Sequence, residues 1–163
     1  MQLVLKTADV LKASVLLEER GVKFYSEAAG KFKGDEKKLL LRLAEMEKGH
    51  ASGFLKLLEA FENTSAPRDS EDQAEARDYL SALTSDRIIN EECVILGSDD
   101  FAGIMNKAML IEKNSVFFYT AVKEAMADKP LEKQLQKIID EELGHYKMLN
   151  NALTAWKNRP VKK

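Results

Sequence analysis

Each of the two histidines in the chain follows a glutamate by three positions. The two motifs, at residues 47–50 and 142–145, read Glu-Lys-Gly-His and Glu-Leu-Gly-His within long helical patterns. Residues three apart on a helix lie on one face, about one turn from each other. A carboxylate and an imidazole in this arrangement can bind one metal ion. Metal binding by these pairs is therefore the first chemistry that the sequence predicts.

Four glutamates occupy positions that the apolar pattern assigns to a protein core. In four stretches of the chain, hydrophobic residues recur at spacings of three and four, which is typical of helices packed in a bundle. A carboxylate in such a core loses several kcal/mol of solvation unless an opposite charge offsets it. No lysine or arginine shares the four core-facing stripes, so two divalent cations would balance the carboxylates. The glutamates are Glu18, Glu47, Glu112 and Glu142.

The predicted ligands, four glutamates with His50 and His145, restrict the identity of the metal without fixing it. Mixed carboxylate and imidazole ligands suit iron or manganese, and zinc is also compatible. The combination resembles the ligand set of ferritin-like di-metal proteins, in which two helices give one glutamate each and two give Glu-x-x-His. The sequence therefore predicts two metal ions, with iron as the first choice.

The hydrophobic spacing predicts four helices to position these ligands. Short breaks after the first and third helices predict two antiparallel hairpins. The long connection between the hairpins begins with turn residues, and we expect it to be a crossover with a short helix. The predicted fold is all-α, with one domain over residues 1–163 that is a four-helix bundle of two hairpins joined by that crossover, and the resemblance to di-metal proteins implies that the domain is ferritin-like. The predicted helices are 7–33, 36–62, 98–127 and 130–158, and the crossover is 63–97.

The two halves of the chain repeat each other. Glu18 to Tyr25 aligns with Glu112 to Tyr119, and glutamate, valine, phenylalanine and tyrosine match at identical offsets. Each half therefore contains a Glu-x6-Tyr helix followed by a Glu-x-x-His helix. The pattern indicates a duplicated helical hairpin.

Two further pairs of residues lie beside the predicted ligands. Glu45 and Glu141 fall outside the core-facing stripes, so we expect both to be solvated charges. Gly49 and Gly144 occupy matching positions in the two motifs. Because glycine inside a helix costs about 1 kcal/mol relative to alanine, their placement suggests close packing or access near the metals.

Composition and charge exclude several classes of protein. The net charge of −2 offers no basic surface for nucleic acid, and no apolar run approaches the roughly 18 residues of a membrane span. The N-terminal residues lack the pattern of a signal peptide. Cys93 is the single cysteine, so the chain has no intramolecular disulfide. We expect a cytoplasmic protein that binds neither nucleic acid nor membranes.

These motifs resemble those of the rubrerythrin-like di-iron domain of the ferritin-like superfamily. The resemblance rests on residues 18–25, 111–115 and 138–145, and it extends over all four predicted helices. It implies that Tyr25 and Tyr119 lie behind the ligands and hydrogen-bond to their carboxylates. It also implies bridging of two ions by Glu47 and Glu142, terminal ligation by Glu18 and Glu112, and one ion each for His50 and His145.

The sequence departs from rubrerythrins at two points. Rubrerythrins typically carry a further glutamate three residues after the third-helix ligand, where this chain has Ser115. They also usually carry a Cys-x-x-Cys iron site that delivers electrons, which a chain with one cysteine cannot build. Electrons would therefore have to come from a separate donor protein.

The resemblance implies a non-haem di-iron oxidoreductase that reduces peroxide or dioxygen, with no catalytic residue beyond the metal centre. One alternative is ferritin-type iron binding with ferroxidase activity. Another is a bundle in which metal only stabilises the structure or senses redox state. The resemblance also implies a homodimer, in which helices can be exchanged through the crossover.

Overall fold

The residues that the structure describes form a bundle of four α-helices. The computed structural model describes residues 6–64, 93–125 and 129–160, and these ranges contain no β-strand. The predicted all-α four-helix bundle is confirmed. The predicted crossover lies mostly outside the described residues. The helices are α1 at Thr7–Ala29, α2 at Gly34–Thr64, α3 at Phe101–Glu124 and α4 at Lys129–Lys157.

Helix ends differ by a few residues from the predicted ends where local chemistry intervenes. α1 ends at Ala29 rather than at residue 33, because the chain turns at Gly30 and reaches Gly34 in a left-handed conformation, with φ of 63°. Glycine adopts this conformation without steric cost. α3 starts three residues later than predicted, because the side chain of Asp100 accepts a hydrogen bond from the backbone N–H of Gly103 at 2.8 Å.

Helices that follow each other in the chain make the most extensive contacts. α1 packs chiefly against α2, and α3 packs chiefly against α4, while α1 also contacts α3. Short connections between successive helices favour this antiparallel pairing. None of the described helices combines the length and apolar character needed to cross a membrane.

The apolar core is divided into two clusters. The first, which we call the lower cluster, contains the start of α1, the second half of α2, the end of α3 and the start of α4. The second, the upper cluster, contains the opposite ends of the same helices. On every helix the predicted metal-binding glutamate falls between the two clusters. Each helix therefore carries a polar segment at its middle, with apolar residues above and below it.

We predict that Leu135→Ala lowers the free energy of unfolding by about 2–5 kcal/mol, because Leu135 is fully buried in the lower cluster and its removal leaves a cavity. Leu55→Ala is the matched control, since Leu55 is 46% exposed, and its effect should stay within about 0.5 kcal/mol. Urea unfolding of the chelator-treated protein measures both. Equal losses in the two variants would contradict the described core.

Candidate metal centre

Six ionisable side chains meet at the middle of the bundle. All four predicted glutamates are at most 4% exposed, His145 is 1% exposed, and the side chain of His50 is 9% exposed. The structure therefore brings together the whole set of residues that the sequence predicts as ligands. They come from all four helices: Glu18 from α1, Glu47 and His50 from α2, Glu112 from α3, and Glu142 and His145 from α4.

These side chains form two groups, each with the composition of a metal site. Within each group, one ligand atom from every residue lies within 4.8 Å of the others. Glu47 and Glu142 belong to both groups. The arrangement can accommodate two metal ions that share two carboxylates. The first group adds Glu18 and His50, and the second adds Glu112 and His145.

His50 directs its Nδ1 atom into the first group. This nitrogen lies 3.0 Å from an oxygen of Glu142, 3.3 Å from Glu18 and 3.7 Å from Glu47. Its other nitrogen, Nε2, faces away from the group and lies 2.9 Å from Oε2 of Glu141. Nδ1 is therefore the atom of His50 that can bind a metal.

His145 has the same orientation in the second group. Its Nδ1 lies 3.1 Å from Glu47, 3.2 Å from Glu142 and 3.7 Å from Glu112. The two imidazole rings stack, with centroids 5.5 Å apart and planes inclined by 13°. Among the described residues, however, no hydrogen-bond partner is found for the buried Nε2 of His145. The two histidines thus differ at Nε2, the ring nitrogen that faces away from the predicted metal ligands: in His50 it has a hydrogen-bond partner and in His145 it has none among the described residues.

The charges of this cluster fit a pair of divalent cations. Within the described part of the chain, every ion pair of the four carboxylates is made with one of the two histidines. Oε1 of Glu47 and Oε1 of Glu142 are buried, and because the nearby histidine nitrogens lack hydrogen-bond geometry, neither oxygen accepts a hydrogen bond there. Buried carboxylate oxygens without donors are costly. Two cations of charge +2 would supply both the missing charge and the missing partners.

The pKa values of Glu18, Glu112 and the two histidines are raised, so the metal-free cluster holds protons. Burial raises the pKa of Glu18 and of Glu112 well above the usual range. Burial alone would lower the pKa of His145, but the three carboxylates around its Nδ1, those of Glu112, Glu142 and Glu47, outweigh burial and raise the pKa to about 12. The same balance raises the pKa of His50.

The two glutamates shared between the groups behave in the opposite way. Burial would raise the pKa of Glu47, but the imidazoles of His145 and His50 beside its carboxylate outweigh burial and lower the pKa. Burial is likewise outweighed at Glu142, whose pKa is lowered by the neighbouring side chains of Glu112, His145 and His50. The shared glutamates are therefore the carboxylates that stay ionised in the metal-free cluster.

Two buried tyrosines bind the terminal glutamates, each across the bundle. The hydroxyl of Tyr25 on α1 donates to Oε1 of Glu112 on α3, and the hydroxyl of Tyr119 on α3 donates to Oε1 of Glu18 on α1. Burial and the nearby carboxylates raise the pKa of both phenols. Both tyrosines therefore remain hydrogen-bond donors, and each holds one oxygen of a glutamate from the other hairpin.

Glu141 is the residue near the cluster that the sequence reasoning misjudged. It was expected to be a solvated charge, yet its side chain is only 37% exposed and accepts from His50. Its other oxygen lies 3.6 Å from Nζ of Lys137. Because the apolar pattern of α4 does not show what α2 places beside it, only the pairing of the two helices reveals this contact. Glu45 is largely exposed as expected and pairs with Lys48 at 3.7 Å.

Glycines contribute to the cluster by leaving room. A Cβ on Gly21 would lie 3.2 Å from Cγ of Glu47, so α1 approaches this shared glutamate closely only because the side chain is absent. The sequence reasoning did not identify Gly21. Gly49 and Gly144 have nothing within 4 Å of an added Cβ, so close packing does not explain them. Gly49 instead lines a cavity of about 430 Å³ whose wall includes His50.

Comparisons with known proteins agree with this geometry. A family model described as Rubrerythrin matches residues 9–153. No curated protein sequence matches the chain. A similar solved structure is that of a Thermotoga maritima protein described as a ferritin-like diiron-carboxylate protein; it is 24% identical, with a TM-score of 0.65 over 93% of this chain and 96% of that one. At this identity the structural similarity supports the fold.

We predict that metal affinity rises with pH between pH 6 and 8, because metal ions must displace protons from groups whose pKa values are raised, above all His50 and His145. Each displaced proton contributes about tenfold in affinity per pH unit. Calorimetric titration with Co²⁺ in buffers of different ionisation enthalpy measures both affinity and proton release. Constant affinity over this range would show that no protons are displaced.

We further predict that Tyr25→Phe weakens metal binding by about tenfold or more, because Glu112 loses the hydroxyl that orients it. Tyr146→Phe is the control, since Tyr146 lies on the same bundle but is 39% exposed. Competition with a metal chelator of known affinity gives both values. The assignment fails if the two variants bind Co²⁺ equally well.

Proposed function

This chain belongs to the rubrerythrin family, and we propose that it is a di-iron oxidoreductase that reduces peroxide or dioxygen. The observation that carries the proposal is the pair of four-residue groups that share Glu47 and Glu142 in the core of the bundle. A site of this composition, which would hold two ions through shared carboxylates, suits two-electron chemistry on a small oxidant. We propose iron as the native metal on the basis of the family.

In this proposal the six side chains have different roles as ligands of the two ions. Glu47 and Glu142 would hold both ions, and each histidine would hold one of them through Nδ1. Glu18 and Glu112 complete the two positions, and the tyrosine hydroxyls on their far oxygens restrict how these carboxylates can turn. The ligands other than His50 are at most 4% exposed, which limits the loss of reactive species to water.

When bound as a pair, two ferrous ions supply the two electrons that cleave the oxygen–oxygen bond of peroxide. With two protons, hydrogen peroxide then yields two water molecules. The described residues contain no Cys-x-x-Cys iron site, and Cys93 is the single cysteine of the sequence. We therefore propose that a separate donor protein returns two electrons in each cycle.

Ser115 bears on how efficient the reduction is. It is 6% exposed on α3, one turn beyond Glu112, where the resemblance places an additional glutamate in rubrerythrins. A serine hydroxyl cannot replace an anionic ligand when the charge on iron rises. We therefore propose slower peroxide turnover than in rubrerythrins with that glutamate. This feature also favours a second candidate function, ferroxidase activity with dioxygen as the oxidant.

The test is anaerobic mixing of the ferrous protein with hydrogen peroxide or dioxygen, followed by absorbance. We predict that peroxide oxidises the iron at one peroxide per two ions and that added reductant sustains turnover. Glu47→Ala should reduce the rate to that of free iron, because both metal positions lose a ligand. Glu45→Ala, which removes an exposed carboxylate from the same helix, should retain the wild-type rate.

The outcomes separate the candidate functions. Rapid oxidation by dioxygen with little reaction toward peroxide would favour the ferroxidase, and sedimentation would then show whether the protein forms a storage-sized assembly or a dimer. A metal-loaded protein that is inert to both oxidants would overturn the oxidoreductase proposal. Full activity of Glu47→Ala would overturn the assignment of the site. Far-ultraviolet circular dichroism verifies that the variants are folded.

A further inference from the structure

The two metal positions of the cluster differ in the support that their histidines receive. Nε2 of His50 lies 2.9 Å from a carboxylate oxygen of Glu141, whereas the buried Nε2 of His145 has no hydrogen-bond partner among the described residues. The repeat explains the difference. Glu141 precedes Glu142, and the residue in the matching place before Glu47 is Met46, whose thioether is only a weak acceptor.

We propose that Glu141 is a positioning residue that makes the metal position at His50 the tighter of the two, so that it fills before the position at His145. The proposal rests on metal binding by the cluster, which is part of the proposed function. It assigns to Glu141 a role that its half-exposed place on α4 does not suggest.

The chemistry of imidazole ligands supports this role. A histidine that binds a metal through Nδ1 keeps its proton on Nε2, and the metal makes that N–H a stronger donor. A carboxylate that accepts the proton fixes the tautomer, holds the plane of the ring and increases the basicity of the ligand atom. Glu141 is placed to act on His50 in these three ways. The exposed ammonium of Lys137 lies 3.6 Å from the other carboxylate oxygen of Glu141 and contributes little to the energy of this contact.

His145 lacks all three effects. Its ring is 1% exposed, so water does not readily replace the missing acceptor, and its Nε2–H would be left without a partner when Nδ1 binds a metal. Loss of an outer carboxylate of this kind typically lowers metal affinity 10–100-fold. The two affinities should therefore differ by about this factor.

The metal position at His50, which we propose is the tighter one, is also the one that a cavity reaches. A cavity of about 430 Å³ lies between α2 and α4, and both His50 and Glu141 line it. Gly49 and Gly53 form part of its wall, with nothing within 4 Å of an added Cβ on either. An incoming ion can thus approach His50 from this side, where Glu141 adds a negative charge to the entrance.

The experiment is a stepwise titration of the metal-free protein with Co²⁺, followed by its visible d–d absorption and by calorimetry. We expect two steps separated by about 10–100-fold in affinity. His50→Ala should remove the tight step, and His145→Ala should remove the weak step. Two equal steps in the wild-type protein, or loss of the weak step in His50→Ala, would overturn the proposal.

Substitutions at the outer positions test the cause. Glu141→Met, which copies the other half of the repeat, should weaken the tight step about 10–100-fold and leave the weak step unchanged. Glu141→Gln retains an acceptor and should restore part of the affinity. Met46→Glu should strengthen the weak step. Asp140→Met, which removes an exposed carboxylate from the neighbouring position of α4, is the control and should change neither step.

The results distinguish this inference from the proposed function. A protein that binds Co²⁺ in two unequal steps but is inert to peroxide and dioxygen would retain the inference and lose the oxidoreductase proposal. An active protein whose tight step is unaffected by Glu141→Met would lose the inference alone. A protein that binds no Co²⁺ would lose both.

Discussion

The structure depends on the balance of charge at one level of the bundle. Four carboxylates and two imidazoles lie between two apolar clusters, and each helix contributes at least one of them. Without cations, the histidines and the terminal glutamates keep protons to reduce the imbalance. The bundle therefore holds, between its two apolar clusters, a set of buried groups that only a positively charged partner can fully satisfy.

The fold could be predicted from the spacing of apolar residues. Residues spaced by three and four lie on one face of a helix, and that face is the one that packs against the other helices. The helix ends could be predicted less well. They depend on single contacts, such as the side chain of Asp100 on the N–H of Gly103 and the left-handed backbone at Gly34. The sequence contains several residues that could end a helix in this way, and tertiary packing determines which of them does so.

The convergence of the predicted ligands could be foreseen, because glutamate and histidine on apolar faces need a common partner. What lies around them could not. The bond from Glu141 to His50 crosses from α4 to α2, and the approach of Gly21 to Glu47 crosses from α1 to α2. The period of one helix shows which of its residues are buried, but it contains no information about which neighbouring helix faces them.

The crossed tyrosine bonds have a consequence for the origin of the chain. Tyr25 reaches Glu112 and Tyr119 reaches Glu18, so neither hairpin satisfies its own phenol and carboxylate. A free hairpin with these residues would leave its phenol and its carboxylate without these partners unless a second copy supplied them. The crossed bonds thus fit the duplicated helical hairpin that the internal repeat indicates, because each half supplies the partner that the other half lacks.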